Sequence, residues 1–292
     1  MKKPKVIVIL GPTATGKSNL AVKLAKKLNG EIISADSRQV YKILDIGTGK
    51  ITKKEMRGVP HHLLDVVNPK TKFSVIKYQT LANKALEQIL KKGRTPIICG
   101  GTGFYIDAVT KGVVFPEVPP NNKLRKELEK KNPEDLIKIL NKLDKARARN
   151  IDKKNKVRLI RAIEIAKYLG KVPKIKEKKN NYEFIKVGLT LPQEELKGKI
   201  GKRIKKMFKD GLLKEVSKLK RSGISEKRLK EFGFEYYKPT LENVITGNIK
   251  YAKRQMTWFK RDNEIKWFTL SSSEGFTPSQ EKDIEKYISK KI

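Results

Sequence analysis

Apolar residues follow two rhythms along this chain, and the change between them divides it. Residues 5–10, Lys-Val-Ile-Val-Ile-Leu, form a β-branched run of the kind that fills a strand buried on both faces, and Leu20, Leu24 and Leu28 then recur at helical spacing across residues 19–28. A second short strand is predicted at residues 31–35. A helix follows at residues 75–90, where Leu81, Ala85 and Leu86 recur, and a third strand at residues 95–99 runs into Gly100 and Gly101. Strand and helix in alternation predict a parallel sheet covered by helices on both faces.

After Val118, Pro119 and Pro120 the pattern shifts. Residues 121–182 are strongly charged and helical in spacing with no strand-like run, and residues 184–191 return to a strand pattern. The chain is therefore expected to be α/β, with a sheet-based core formed by residues 1–118 and 184–292 and a mainly helical domain inserted at residues 119–183. Pro192 opens a further helix in which Leu196, Ile200, Ile204 and Phe208 are four apart, and residues 251–259 continue the helical pattern. Residues 271–292 are polar and are expected to be peripheral.

Composition narrows the partners. The chain has 292 residues, of which 38% are hydrophobic, enough for about two domains with cores. The balance of 68 Lys+Arg against 31 Asp+Glu leaves a net charge of +37, which argues for a polyanionic partner such as nucleic acid, the plainer alternative being a lysine-rich proteome. One cysteine, Cys99, excludes an internal disulfide, and with His61 and His62 as the only histidines a Cys/His zinc site is excluded too. The N-terminal apolar run is too short for a signal peptide, and no stretch approaches the roughly 18 apolar residues of a membrane span. A cytoplasmic protein without a membrane partner is expected.

The sharpest local signal is Gly11, Pro12, Thr13, Ala14, Thr15, Gly16, Lys17 and Ser18, which fit G-x-x-x-x-G-K-[ST] between a strand and a helix. Chance would produce the four fixed positions in a chain of this length on the order of one time in a hundred. Glycines let backbone N–H groups converge on a phosphate, the helix N-terminus adds partial positive charge, Lys17 neutralises outer oxygens and Ser18 can bind Mg²⁺. The fold expected is thus P-loop NTPase-like, and the ligand a diphosphate or triphosphate. An ATPase would carry an acidic residue at the end of a buried strand, yet the strand at 95–99 ends in Gly100, Gly101, Thr102 and Gly103. The nearest carboxylate is Asp36, at the end of the second strand, where open α/β sheets gather ligands. It reads either as a helix cap or metal partner or as a general base.

Several strings together resemble the tRNA dimethylallyltransferases, also called tRNA isopentenyltransferases. They are residues 11–18; Asp36-Ser-Arg-Gln39-Val-Tyr41; Leu44-Asp-Ile-Gly-Thr48-Gly-Lys50; Val59-Pro-His-His62-Leu; Gly100-Gly-Thr-Gly-Phe-Tyr105; Asn155, Arg158, Arg161 and Glu164; and Tyr251 through Phe259. The resemblance spans residues 5 to about 268 and matches the bacterial form, since the cysteine count leaves no room for a C-terminal zinc finger. It implies dimethylallyl diphosphate and a tRNA as substrates, Mg²⁺ as cofactor, a monomer, and an inserted domain that grips the anticodon stem-loop. It further implies Asp36, Thr102, Lys17 and Arg203 as the catalytic set, with tRNA contacts from Asp36, Ser37, Arg38, Gln39, Thr102, Lys123, Asn155, Arg158 and Arg161. The turn at residues 231–235 departs from the family's usual small-apolar, Ile, Gly, Tyr run, and the insert is short and lysine-rich.

The chemistry fits these residue types. Diphosphate leaving an allylic carbon needs dense positive charge, and adenine N6, a poor nucleophile, gains roughly 10²–10⁴-fold from a carboxylate that takes its proton. A helix at residues 152–168 is expected to put Asn155, Arg158 and Arg161 on one face and Val157, Ile160 and Ile163 on a buried one. His61 and His62 diverge from each other and read as packing and loop hydrogen bonding; Trp258 and Phe259 read as core or as base-stacking platforms. Three rivals share parts of the pattern: a small-molecule P-loop kinase, a prenyltransferase of free adenine nucleotides, and a nucleotide-switched RNA-binding protein.

Overall fold

A computed structural model describes residues 3–270 and 276–292. The elements run β1 (Lys5–Leu10), α1 (Lys17–Lys27), β2 (Gly30–Ser34), α2 (Lys53–Met56), β3 (His61–His62), α3 (Val75–Lys91), β4 (Thr95–Gly100) and α4 (Gly103–Thr110). Then come β5 (Val113–Val114), α5 (Asn122–Glu129), α6 (Pro133–Leu143), α7 (Lys145–Arg149), α8 (Lys156–Leu169) and β6 (Lys176–Glu177). The chain closes with β7 (Glu183–Thr190), α9 (Gln193–Asp210), α10 (Leu212–Arg221), α11 (Glu226–Phe232), α12 (Leu241–Phe259), β8 (Lys266–Thr269) and α13 (Pro278–Ser289).

Six strands form one parallel sheet in the order β3-β2-β4-β1-β7-β8. Strand β1 lies inside it, with Ile9 opposite Cys99 of β4 on one flank and Val187 of β7 on the other. Side chains alternate across a strand, so Val6, Val8 and Leu10 join Ile33, Ile98 and the buried faces of α3 and α4, while Ile7 and Ile9 join Ile32, Ile97, Val187 and α1. This is why β1 reads as an unbroken apolar run: both faces are covered. A third cluster gathers Val40, Tyr41 and Leu44 with Ile200, Ile204, Leu212, Leu229 and Tyr236. The spacing of four read in α9 is realised, with Ile200 and Ile204 buried and Leu196 and Phe208 packed at the cluster's margin.

The chain divides into two compact units, residues 1–112 with 179–292, and residues 113–178. The insert therefore opens six residues before the expected 119 and closes five before 183, because the short β5–β6 ribbon pairs Val113 with Glu177 and Val114 with Lys176 and belongs to it. Inside the insert Leu128, Leu136, Leu140, Leu159 and Ile163 form a core of their own.

Three expectations need correction. Leu81 is 36% exposed; α3 buries Tyr78, Ala82, Ala85, Leu86 and Ile89 instead, a stripe set by Ala82 rather than its larger neighbour. Val157 is 78% exposed, since α8 begins at Lys156 and its buried face starts at Leu159. Of the tail called peripheral, residues 271–275 lie outside the described residues, but α13 is part of the core: Ile284 and Ile288 are buried against α1, with Lys23–Glu281 and Lys27–Glu285 ion pairs beside them. No helix among the described residues is long and apolar enough to cross a membrane.

Ile284→Ala should destabilise the protein by about 2–5 kcal/mol, the cost of a core cavity. Urea denaturation checks it, and a loss below about 1 kcal/mol would return the tail to the periphery.

Candidate active site

The loop between β1 and α1 is shaped for an anion. Gly11 has φ of +140°, and a Cβ there would collide with the Leu189 carbonyl of β7, so only glycine permits this approach. Thr15 is fully buried and its hydroxyl donates to the Pro12 carbonyl at 2.9 Å, closing the loop on itself. The Lys17 ammonium donates to the same carbonyl and lies 3.4 Å from Thr15 Oγ1. Burial pulls this ammonium down to about 8, Arg203 acts in the same direction, and Cys99 and Asp36 oppose them. Cys99, at the end of β4, is no competing nucleophile: burial pushes its thiol up to about 12. Ser18 sits at the exposed start of α1.

Two distant helices complete the cradle. Arg203 of α9 donates from Nη1 to Thr13 Oγ1 at 3.2 Å and from Nη2 to the Thr48 carbonyl at 3.3 Å. Gln255 of α12 accepts the Thr13 N–H at 2.9 Å and donates to the Gly101 carbonyl at 2.8 Å, so one buried amide ties the phosphate loop to the loop after β4. Sequence reading passed over Gln255, although it stands inside the Tyr251–Phe259 string.

Asp36 lies just past β2. Its Oδ1 accepts the N–H groups of Arg38 at 2.8 Å and Gln39 at 3.2 Å, a side-chain-capped turn of the kind aspartate favours. Asp36 thus caps a turn through one oxygen rather than a helix, since the next helix begins only at Lys53; among the described residues Oδ2 has no hydrogen-bond partner, and the carboxylate lies within Coulombic range of Lys17 and Arg203. Thr102 Oγ1 accepts the Ser37 N–H at 3.0 Å. Gln39 donates to the Thr48 carbonyl at 3.3 Å and the Gly49 carbonyl at 3.4 Å. Asp36, Ser37, Arg38, Gln39, Thr102, Lys17 and Arg203 are therefore brought together by contacts or by mutual electrostatics. So is Glu235, from the turn that departs from the family pattern: burial pushes its carboxyl up to about 7, Arg38 opposes this, and Asn248 donates to it at 3.2 Å.

The insert's predicted residues divide. Asn155 caps α8, accepting the Arg158 N–H at 3.1 Å. Arg161 is committed internally: its guanidinium meets Glu164 and the Val118 carbonyl, and Arg125 reaches the same carboxylate from α5. Burial would raise the Glu164 carboxyl, but the two arginines outweigh it and hold the group below its ordinary value. Arg158 is exposed, at 4.0 Å from Asp152. Lys123 is exposed and lines a groove of about 280 Å³ with Lys167 and Tyr168. In the core, His62 meets Glu31 at 2.6 Å, and His61 Nδ1 donates to the Val59 carbonyl at 2.8 Å, so both histidines serve local structure. Phe259 is core, while half-buried Trp258 donates from Nε1 to Asp107 at 3.0 Å.

A parallel α/β sheet and a glycine-bent loop between an inner strand and a helix define a P-loop-like fold. The family model described as IPP transferase matches residues 39–262. A tRNA dimethylallyltransferase of Anoxybacillus flavithermus is 40% identical over 282 residues, covering 91% of each chain, and one of Bacillus anthracis is 38% identical over 100% of this chain and 98% of its own. The crystal structure of the full-length tRNA isopentenylpyrophosphate transferase of Bacillus halodurans superposes with a TM-score of 0.73 at 34% identity, covering 99% of this chain and 97% of that one. A structure of a eukaryotic dimethylallyltransferase acting on tRNA gives 0.75 at 28% identity, covering 91% and 74%. The chain belongs to the IPP transferase family, that of the tRNA dimethylallyltransferases.

If Lys17 holds a diphosphate through its ammonium, which burial pulls down to about 8, binding depends on pH. Its affinity should be level below about pH 7 and fall above about pH 8, approaching tenfold per pH unit. Calorimetry in two buffers at about pH 8.5 should register proton uptake on binding; equal affinity at pH 7 and pH 9.5 would refute this.

Arg158→Gln should lower the salt dependence of tRNA binding by about one unit of slope and leave thermal stability unchanged. Arg161→Gln should instead lower the melting temperature, because Glu164 loses a partner inside the insert. The reverse assignment of effects would make Arg161 the phosphate contact.

Proposed function

We propose that this protein transfers a dimethylallyl group from dimethylallyl diphosphate to N6 of the adenosine at position 37 of tRNA, beside the anticodon, giving N6-isopentenyladenosine and diphosphate. The observation that carries the site reading is electrostatic. The cation of the phosphate loop, a second cation from α9 and a carboxylate with one oxygen unbonded among the described residues all act on one another. Leaving group and incoming amine can then be served from one place.

In this reading residues 11–18 hold the diphosphate, with backbone N–H groups and Lys17 on its oxygens and Arg203 completing the counter-charge. The allylic C1–O bond breaks with its electron pair passing to diphosphate, N6 forms the new bond to C1, and the N6 proton passes to Asp36. Such a base contributes roughly 10²–10⁴-fold. The adenine must first leave its stack, at a cost of a few kcal/mol, and Ser37, Arg38 and Gln39 stand where an extruded base would meet Asp36. Thr102 orders this wall, since its hydroxyl accepts the Ser37 N–H.

Mg²⁺ would be held by the Ser18 hydroxyl and diphosphate oxygens. The donor set suits this: among the described residues no three His, Cys, Asp or Glu side chains group to hold a metal, so the anion itself must supply most of the ligands. When bound, the ion would neutralise charge on the leaving group. The exposed lysines of the insert and Arg158 would meet the anticodon stem-loop through its phosphates, and the enzyme is taken to act as a cytoplasmic monomer.

Incubation with tRNA and dimethylallyl diphosphate should yield prenylated adenosine by nucleoside mass analysis, with one diphosphate released per group transferred and no tRNA-stimulated ADP release from ATP. ADP formed in step with substrate consumption, with no modified base, would establish the kinase reading instead. Asp36→Asn should keep binding of both substrates and lose at least about 10²-fold in turnover; near-normal turnover would remove Asp36 as the base.

A further inference from the structure

Residues 44–50, Leu-Asp-Ile-Gly-Thr-Gly-Lys, carry no side chain with a part in the chemistry above, yet their backbone is gripped from two sides. On one side three successive N–H groups converge on Glu215 of α10. Asp45 and Ile46 donate to Oε2 at 3.1 and 2.8 Å, and Gly47 donates to Oε1 at 3.1 Å. The Tyr236 hydroxyl adds a fourth bond to Oε1 at 2.9 Å. Such a nest of N–H groups binds free anions in other proteins; here a carboxylate only 8% exposed fills it. On the other side the Thr48 carbonyl accepts the Arg203 Nη2 hydrogen bond at 3.3 Å. Gly49 has φ of +55°, and a Cβ at that position would strike the Arg203 guanidinium, so loop and arginine are fitted to each other.

We propose that Glu215 is a positioning residue for prenyl transfer, acting through Arg203: its carboxylate fixes the backbone at residues 45–47, and the carbonyl of Thr48 one residue on fixes the guanidinium against the phosphate loop. The inference rests on the reading of Arg203 as counter-charge to diphosphate. A carboxylate is required because three N–H donors and a hydroxyl point inward. The amide of a glutamine would offer one acceptor atom and aim its own N–H bonds at N–H groups, leaving buried donors unsatisfied. Released from that anchor, residues 45–49 can move, and a guanidinium displaced by even about 1 Å loses much of its effect on a developing charge.

A double-mutant cycle tests the coupling. Glu215→Gln should lower kcat/KM for dimethylallyl diphosphate by about 10–100-fold with tRNA affinity unchanged, Arg203→Ala should lower it by at least about 100-fold, and the double variant should equal Arg203→Ala within about threefold. A purely structural Glu215 would lower the melting temperature and leave kcat/KM of the folded fraction intact, which overturns the proposal. So do losses that multiply in the double variant, the counter-charge reading then standing. If Arg203→Ala alone is fully active, that reading falls and the proposal with it. Should Glu215→Gln fail to fold, Tyr236→Phe removes one of the four bonds and keeps the ring. It should cost about 3–10-fold in the wild-type background and nothing beside Arg203→Ala, and a loss that persists there overturns the proposal.

Discussion

Positive charge held partly out of water by fixed polar atoms is the condition on which the rest of this site depends. Lys17 and Arg203 are each half-buried, and burial weakens the charged form of each. Such groups relax toward solvent unless the surrounding polar atoms fix them. The Pro12 carbonyl, Thr13 hydroxyl and Thr48 carbonyl do this directly, and Gln255 does it at one remove through the Thr13 N–H. These partners come from β1–α1, the loop before α2, and α12, so the cradle depends on the whole sheet-based unit rather than on the glycine-rich string alone.

The same accounting separates the basic residues into two kinds. Some neutralise buried carboxylates: Lys92 and Arg94 on Glu31, Arg125 and Arg161 on Glu164. Lys186 reverses the pattern, itself buried between Asp262 and Glu264. The excess that makes the chain +37 is carried elsewhere, on exposed side chains such as Lys123 and Arg158. A charge total reports the second kind, whereas a residue's place in a motif does not say which kind it is, and Arg158 and Arg161 fall on opposite sides only three residues apart.

What could be read from sequence was what local order dictates. The β1 run, the phosphate loop and Asp36 each depend on residues close in sequence, and each was placed correctly in the fold. Leu81 and Val157 were placed on the wrong face because neighbouring helical positions differ by about 100° and the burial of an alanine is easily lost beside a leucine. In α13 two isoleucines in an otherwise polar helix looked too few for a core element; ion pairs to α1 flank them. Gln255 and Glu215 were given no role for another reason. Gln255 meets Thr13 across 242 residues and Glu215 meets Gly47 across 168, and no spacing rule spans such separations.

The position of β7 bears on how the molecule is made. Strand β1 needs partners on both flanks, yet β4 precedes the insert and β7 follows it. During synthesis the half-sheet β3-β2-β4-β1 leaves the ribosome with the β1 edge unpaired, and that edge stays open until the 66 residues of the insert and then residues 183–190 have emerged. The insert has a core of its own, whose residues all lie within that stretch. Nor can Gly11 reach its fitted approach to Leu189 until β7 arrives, so a loop made among the first twenty residues waits for its final shape on a strand that ends at residue 190.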